Sequence, residues 1–599
     1  LEFRRVLFRS EKYYLIRRIY KMEKNHKVEL IGRPSIDRPW MKYYPESISR
    51  LQVPELSLNE YLKANCPGMD MVAMHYYGRD VSWERFFVKV DMVAKSMSAM
   101  GIKEGDQIPV FYRSVPEFIV LLLAAEKIGA SLVCRDNTLQ ENVDAVKEAG
   151  AKIIFVHDFL PKAEVEEYKK QAGVETIISL SPYHAAEKDK MPEHIIHEID
   201  SFYTDGILSG DGVMTWEEFL EKGKNYTGKV EVEKDVNRPL FRAYTSGSTG
   251  TSKQVIHSAY TMIGIIAQMS FYGSAGDFRP TWLLTNLPPC LIAVVVSMIL
   301  VPLCSNKLLI LDPFCNVNDL DLEMMRYRPN CWPLIPMFIE LLMRSDRIPE
   351  DYDMSHLFAA GVGCEAFNNG QIRRAQEFLK AHNCKAVLSI GYGQSEAGSN
   401  CTLPCLEHPI GNGNSGIPMP LTVMSIFEPG THKEVGYNKL GEICKTGLGN
   451  MLGYDREEAT EKALQKHEDG NIWLHTGDIG YMTEDGIVFA LTRGDVRRVG
   501  GGRLIDLNME NKIIDAEIDG IIDAFFVVDE DFENKGYFLP YLYVVLEDGY
   551  TIDDIREDVA DALEDFEYPA QIIQLPERPF FHYKTNRVGL KAQLRATTN

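Results

Sequence analysis

The sequence has no disulfide framework, no long apolar run, no surplus of positive charge and only six tryptophans, and the first three of these shortages each exclude a class of protein. Eleven cysteines are scattered at an odd count, which does not make the paired pattern of a disulfide scaffold. The closest pair, Cys401 and Cys405, has zinc-ligand spacing. No second pair and no His-x-x-x-His follows it, so the two read as buried or loop thiols. Reduced thiols point to the cytoplasm. The most apolar stretch, CLIAVVVSMILVPL at 290–303, has 14 residues and falls short of the roughly 20 that a membrane span needs; it reads as a buried core helix. The formal net charge of -22 does not suit a phosphate backbone, so nucleic acid is set aside as a partner. A polyanionic ligand would need local cations, backbone N–H groups or a metal to reverse the sign at its site. Internal repeats and low-complexity tracts are also missing.

What is present is ordinary globular material, 45% hydrophobic and 25% charged over 599 residues. Residues 1–27 stand apart, with nine Lys or Arg against three Glu in an otherwise acidic chain. Residues 1–40 form an atypical N-terminal segment, read first as foreign to the natural protein and second as a membrane-surface or targeting helix, and nothing is built on them. From Val81 onward helical and strand-like pieces alternate. Phe86, Phe87, Val90, Val93, Ala94 and Met97 recur at helical spacing, and IPVFY follows as a strand. A helix through PEFIVLLLAAEKI comes next, with Ser114 as its N-cap, then the strand SLVCRD. This rhythm predicts an α/β fold: a large N-terminal body of several subdomains with mostly parallel sheets over 41–491. The more polar stretch 160–230 is expected to be a surface excursion with few strands. After Thr492 the run TRGDVRRVGGGRL reads as a joint, leading into a small, mobile α+β C-terminal domain over 492–599.

The sharpest chemical feature is YTSGSTGTSKQV at 244–255. Its glycines let backbone N–H groups approach a ligand, its hydroxyls add donors and Lys253 adds charge, which together suit a polyphosphate. A Walker A loop is excluded, because Ser252 precedes Lys253 and Gln254 follows it, so no hydroxyl stands in the magnesium-binding place.

This stretch resembles the signature loop of the AMP-binding, adenylate-forming superfamily of acyl-CoA synthetases, adenylation domains and luciferases. The resemblance extends, in order and rough spacing, from about residue 55 to 595. It implies that Thr245, Ser246, Gly247, Ser248, Thr249, Gly250 and Lys253 hold the phosphates of ATP. GYGQSE at 391–396 is similar to the family's Tyr-Gly-x-Thr-Glu, which implies Tyr392 against adenine, Gly393 and Gln394 beside it, Ser395 toward the α-phosphate and Glu396 as the Mg2+ ligand. A carboxylate beside a phosphate site does need an intervening cation. Gly361, Val362, Gly363, Cys364 and Glu365 occupy the place of the family's glycine-rich adenine segment. WLHTGD at 473–478 implies Asp478 on the ribose, and Arg493 in the hinge region implies a ribose or phosphate contact.

Three departures from the family pattern stand out. Cys290 or Leu291 stands where the family often has an aromatic or His near the acyl pocket, and the hinge is about one residue short. The C-terminal loop KTNRVGLK at 584–591 lacks the Gly-Lys pair that supplies the family's catalytic lysine. Arg587 overlays that position best, with Lys584 and Lys591 as rivals. The resemblance implies activation of a carboxylic acid as an acyl-AMP and transfer to a thiol, with CoA as the expected acceptor. A carrier-protein phosphopantetheine is the second reading, and a nucleotide-binding homologue with impaired catalysis the third.

Overall fold

The computed structural model describes residues 30–598 except 46–47, 49–50, 246–251, 271–277, 364, 406, 495–496, 500–501, 532–533, 535 and 582. Two large sheets dominate. The first has eight strands, running from Gly453–Tyr454 through Gln254–Ser258, Pro239–Tyr244, Ser131–Cys134, Gln107–Phe111, Ile153–His157 and Thr176–Leu180 to Val213–Thr215. It is parallel from Pro239–Tyr244 to Val213–Thr215 and antiparallel beyond, where Gln254–Ser258 and Gly453–Tyr454 join. The second has seven, from Val387–Ile390 through Ala359–Val362, Cys331–Leu334, Thr281–Thr285, Leu308–Asp312 and Val72–Tyr76 to Arg79–Ser82, and is parallel up to the closing hairpin.

The helix predicted from the Phe86–Met97 periodicity spans Trp83–Ala99, and the six residues that set its apolar stripe are all buried. Ser82 caps it by accepting from Arg85 N, and Gly101 behind it has φ +84°, which a side chain would strain. Ser114 does not cap its helix. The N-cap of Pro116–Ile128 is Val115, and Ser114 Oγ instead donates to Leu287 O at 2.7 Å, tying the first sheet to the second. The stretch 160–230 also differs from expectation. It extends the first sheet with the parallel strands Thr176–Leu180 and Val213–Thr215 and covers them with Lys162–Ala172, Glu193–Ser201 and Trp216–Lys224. These elements end a sheet, so the helices over them are half polar, and the apolar signal is diluted. The 290–303 run is buried, as expected, but opens as a π-helix at Val294–Leu300 before the short α-helix Val301–Cys304. Among the described residues no helix is long and apolar enough to cross a membrane.

A third, antiparallel sheet is built from Thr422–Phe427, Gly441–Gly447, Ile472–Met482, Leu464–Lys466 and Val488–Arg493. Of the segment 1–40, residues 1–29 lie outside the described residues. The remainder packs on this third sheet: Trp40 is buried in its cluster, Asp37 accepts from Tyr437 OH at 2.8 Å, and Arg33 pairs with Glu434.

The small C-terminal α+β domain has its own core around the sheet Ile521–Glu530, Phe538–Leu546 and Gln571–Gln574, covered by Asp506–Asp515 and Ile552–Ala562. Arg578 and Asp523 form a fully buried bidentate pair in it, at 2.7 and 2.9 Å. Burial works against the Asp523 carboxylate, but Arg578 outweighs it and holds its pKa below the ordinary 3.8. Removing Arg578 leaves the buried Asp523 carboxylate with only the longer contact to Arg374, at 3.7 Å, so Arg578→Leu is expected to cost about 3 kcal/mol in urea unfolding. Because the folded-state value lies below the unfolded one, the contribution of the pair is complete above about pH 4 and fades as the pH falls toward the folded value. Unfolding curves of wild type and variant recorded from pH 7 down to pH 3 should therefore converge; parallel curves would reject the account.

Candidate active site

The predicted site residues follow the C-terminal ends of strands: the hydroxyl-rich loop follows Pro239–Tyr244, Gly363 follows Ala359–Val362 and Tyr392 follows Val387–Ile390. The hairpin Pro239–Tyr244 and Gln254–Ser258 carries the hydroxyl-rich loop, whose base is closed by Thr245 N donating to Lys253 O at 2.9 Å and Ser252 Oγ donating to Thr245 O at 2.6 Å. Ser246, Gly247, Ser248, Thr249 and Gly250 lie outside the described residues, as does Cys364.

At the far end of that hairpin Lys253 Nζ sits 4.9 Å from the centroid of the Tyr454 ring. Tyr454 reaches this place because Gly453–Tyr454 pairs with Gln254–Ser258. Its hydroxyl donates to Glu396 Oε1 at 2.7 Å, so one ring joins the loop-end cation to the acid. Glu396 is 6% exposed, in the single turn Ser395–Ala397. Two contacts hold that turn: Met451 N donates to Glu396 O at 2.8 Å, and His257 Nε2 meets Ser395 O at 2.8 Å. Burial pushes His257 down to about 4, so it stays neutral and donates that proton. Tyr454 and His257 are functional positions that sequence reasoning missed. A lone Tyr in MLGYDR and a lone His in a strand carry no local signal, and their value lies only in the strand pairing.

Gly393 is required by close packing, since a Cβ there would lie 2.0 Å from Ser399 O across the narrow ribbon Gly393–Gln394 and Ser399–Asn400. Tyr392 OH donates to Asp478 Oδ2 at 2.6 Å. Burial, then the Asp478 charge, raises the Tyr392 hydroxyl well above 10. Burial also raises Asp478, against the Tyr392 hydrogen bond and Arg493, whose Nε lies 3.9 Å from Asp478 Oδ1. Strand register sets this pairing, with Asp478 opposite Arg493. Gly361 faces open space on Ala359–Val362, where an added Cβ would meet only Ser389 Oγ at 3.7 Å, and Gly363 meets nothing within 4 Å. Val362 is buried beneath that face. The buried Gln394 Nε2 has no hydrogen-bond partner, a donor left over in the GYGQSE turn.

The C-terminal loop closes on the same region. Tyr583, at φ +66°, points its hydroxyl at Asn286 O (2.8 Å) and Oδ1 (2.9 Å) and packs edge-on against Phe338. Glu365 accepts from Thr585 N at 3.0 Å and from Arg587 Nη1 at 2.8 Å, and Arg587 Nη2 donates to buried Glu510 at 2.7 Å. Burial opposes the Arg587 charge, but Glu510 and Glu365 outweigh it and raise its pKa. The structure thus links Lys253 to Glu396 through Tyr454, and Tyr392 to Arg493 through Asp478. Arg587 lies among carboxylates between the domains, and Lys584 is exposed on the two-residue strand Lys584–Thr585.

Hard oxygen donors at Glu396, a cation at Lys253, an acid–tyrosine pair at Asp478 and an open glycine face fit a nucleotide triphosphate with a divalent metal. A large α/β body closed by a small α+β domain over such a site defines an adenylate-forming ligase. A family model for AMP-binding enzymes matches residues 63–455, and the chain belongs to that family. Among curated relatives, a 4-coumarate–CoA ligase of Vanilla planifolia is 26% identical over 484 residues, covering 78% of this chain and 80% of that protein. 4-Coumarate–CoA ligase 5 of Oryza sativa subsp. japonica is 27% identical over 487 residues, with 78% and 81% covered. Among solved structures, ATP-bound MatB from Rhodopseudomonas palustris aligns with a TM-score of 0.73 at 19% identity, covering 91% of this chain and all of that one, a likeness of fold.

The Tyr454 contact can be tested by itself. Tyr454→Phe keeps the ring beneath Lys253 and removes the hydrogen bond to a charged acceptor, a bond of roughly 1.5–3 kcal/mol. Adenylation measured by ATP–pyrophosphate exchange is expected to fall about tenfold or more by that magnitude, and an unchanged rate would show that Tyr454 does not position Glu396.

Proposed function

We propose that this protein is an acyl-CoA ligase that activates a carboxylic acid with an apolar body. The carboxylate oxygen attacks the α-phosphorus of ATP, the bond to the β-phosphate oxygen breaks and pyrophosphate leaves. The thiol sulfur of CoA then attacks the acyl carbon, AMP departs and the thiol proton is released to water. The observation that carries the reading is the link from Lys253 over Tyr454 to Glu396, which sets the phosphate loop's cation beside the one buried carboxylate of the GYGQSE turn.

In this reading Lys253, Thr245 and the loop 246–250 cradle the phosphates. Gly361–Gly363 and Tyr392 bound the adenine, Asp478 with Arg493 takes the ribose hydroxyls, and Ser395 and Gln394 donate toward the α-phosphate. Glu396 would hold Mg2+, which supplies charge neutralisation on the phosphates. CoA as the acceptor is supported by the names of the curated relatives, which are CoA ligases. An apolar acid is supported by half-buried Cys290 and Leu291, by Phe338 against Tyr583, and by the lack of any Asp in 280–300 that could pair with a substrate ammonium. A cytoplasmic setting belongs to the same proposal, on the reduced thiols.

One observation favours the reading of a nucleotide-binding homologue with impaired catalysis: Arg587, the residue nearest the family's lysine position, is held by Glu365, Glu510 and Phe526 O. ATP–pyrophosphate exchange across a panel of acids separates the two. Exchange with at least one apolar acid is expected; ATP binding without exchange for any acid would favour the impaired homologue. Adding CoA or a carrier protein and weighing the product identifies the acceptor.

A further inference from the structure

Beside the Asp478 strand, at the third sheet, three histidines from three separate segments meet. His475 lies in Ile472–Met482, His467 follows Leu464–Lys466, and His432 stands on the connection after Thr422–Phe427. Each offers a ring nitrogen within 4.8 Å of the other two. His467 and His475 are buried and their Nε2 atoms are 2.9 Å apart, while His432 is exposed and stacked on His467 with ring centroids 4.0 Å apart. We propose that His432, His467 and His475 form a binding site for a divalent transition-metal ion of the zinc type, open to solvent at its fourth position.

The groups around these rings have the arrangement a metal site needs. Metal-ligating histidines almost always give their other N–H to an oxygen, which fixes the tautomer and aims the lone pair. Here His475 Nδ1 lies 2.9 Å from Glu442 Oε2, so the proton is on Nδ1 and Nε2 carries the lone pair toward His467. His432 Nε2 lies 2.8 Å from Gln465 Oε1, so its Nδ1 is the free nitrogen. The His467 ring is fixed between Trp473, stacked at 5.6 Å, and Phe427, edge-on at 4.9 Å.

A single proton now lies between the two buried Nε2 atoms, and a cation could replace it if His467 moves its own proton to Nδ1. Two nitrogens on one tetrahedral zinc are about 3.3 Å apart for bonds of 2.0–2.1 Å, so these rings must part by a few tenths of an ångström and tilt until both lone pairs converge on the ion. His432, on its exposed connection, turns off the stack to complete the set. The site also reaches toward the nucleotide pocket: Glu442 Oε1 accepts from Gly477 N at 3.0 Å, one residue before Asp478. A cation on His475 therefore braces the turn that presents Asp478; this last link rests on the ribose reading above, whereas metal binding does not.

The test uses untagged, chelator-stripped full-length protein titrated with Co2+ and then Zn2+, followed by visible absorption and metal analysis after dialysis. One Co2+ per chain with tetrahedral bands, displaced by Zn2+, is expected. Affinity should fall at least about tenfold in His432→Ala, whose side chain is exposed, and further in His467→Gln. Metal-free melting curves of both variants, matched to wild type, show that the fold is kept. The proposal is overturned by no uptake at about 100 µM metal, well above the affinities of zinc sites. It is equally overturned by thiolate-to-cobalt charge-transfer bands, which would assign the ion to cysteines, or by wild-type affinity in the doubly substituted protein.

Discussion

Glu396→Ala is expected to lower ATP–pyrophosphate exchange by about 10³-fold, with ATP binding in the absence of metal changed far less. The size follows from the setting. Glu396 is a buried carboxylate whose Oε1 accepts from Tyr454 OH, and in the proposed reading its carboxylate serves as a hard ligand for the metal. Without it a divalent metal loses its protein ligand, and the negative charge that builds on the phosphates is neutralised less well. Glu396→Gln keeps the shape and the contact to Tyr454, so it separates loss of charge from loss of packing. Exchange rates as a function of Mg2+ concentration decide the matter: a shifted metal dependence is expected in Glu396→Gln, and retained turnover in Glu396→Ala would show that the metal lies elsewhere.

Arg587→Ala is expected to slow the adenylation half-reaction about 10²-fold, while transfer from a preformed acyl-adenylate to the thiol changes less than about threefold. Arg587 is the residue that fastens the C-terminal loop to the body through Glu365 and to its own domain through Glu510. Its loss removes the ion-pair partner of the buried Glu510 and loosens the segment that holds Tyr583 against Asn286. Lys584→Ala is expected to have little effect, because Lys584 is exposed and its strand is held by backbone pairing to Phe581. Single-turnover measurements on the two half-reactions distinguish these outcomes. A larger loss in thiol transfer than in adenylation would remove Arg587 from the first step, and a large loss in Lys584→Ala would transfer its role to that residue.

The helix Trp83–Ala99 and the strands around it were legible because amphipathic periodicity is a short-range signal, carried by residues three or four apart. The hydroxyl-rich loop and the GYGQSE turn stand out in the sequence for a similar reason, since the residues of each are contiguous. Ser114 was misread for the opposite reason. A serine before a helical proline is a sound cap by local rules, but a carbonyl 173 residues away, on Leu287, took its hydroxyl. The stretch 160–230 was read as irregular because strands at the end of a sheet need less apolar sequence than central ones.

The sequence by itself determined that this chain builds an α/β body with a small α+β C-terminal domain, and it carries the hydroxyl-rich loop and the acidic turn in contiguous residues. Only the tertiary structure decided which groups work together. Tyr454 meets Glu396 across 58 residues, Arg587 meets Glu365 across 222, and His432 stacks on His467 from a separate connection. The physical reason is range: periodicity and turn chemistry act within a few residues, whereas a hydrogen bond or an ion pair forms wherever sheet register and domain closure bring two side chains within about 3 Å.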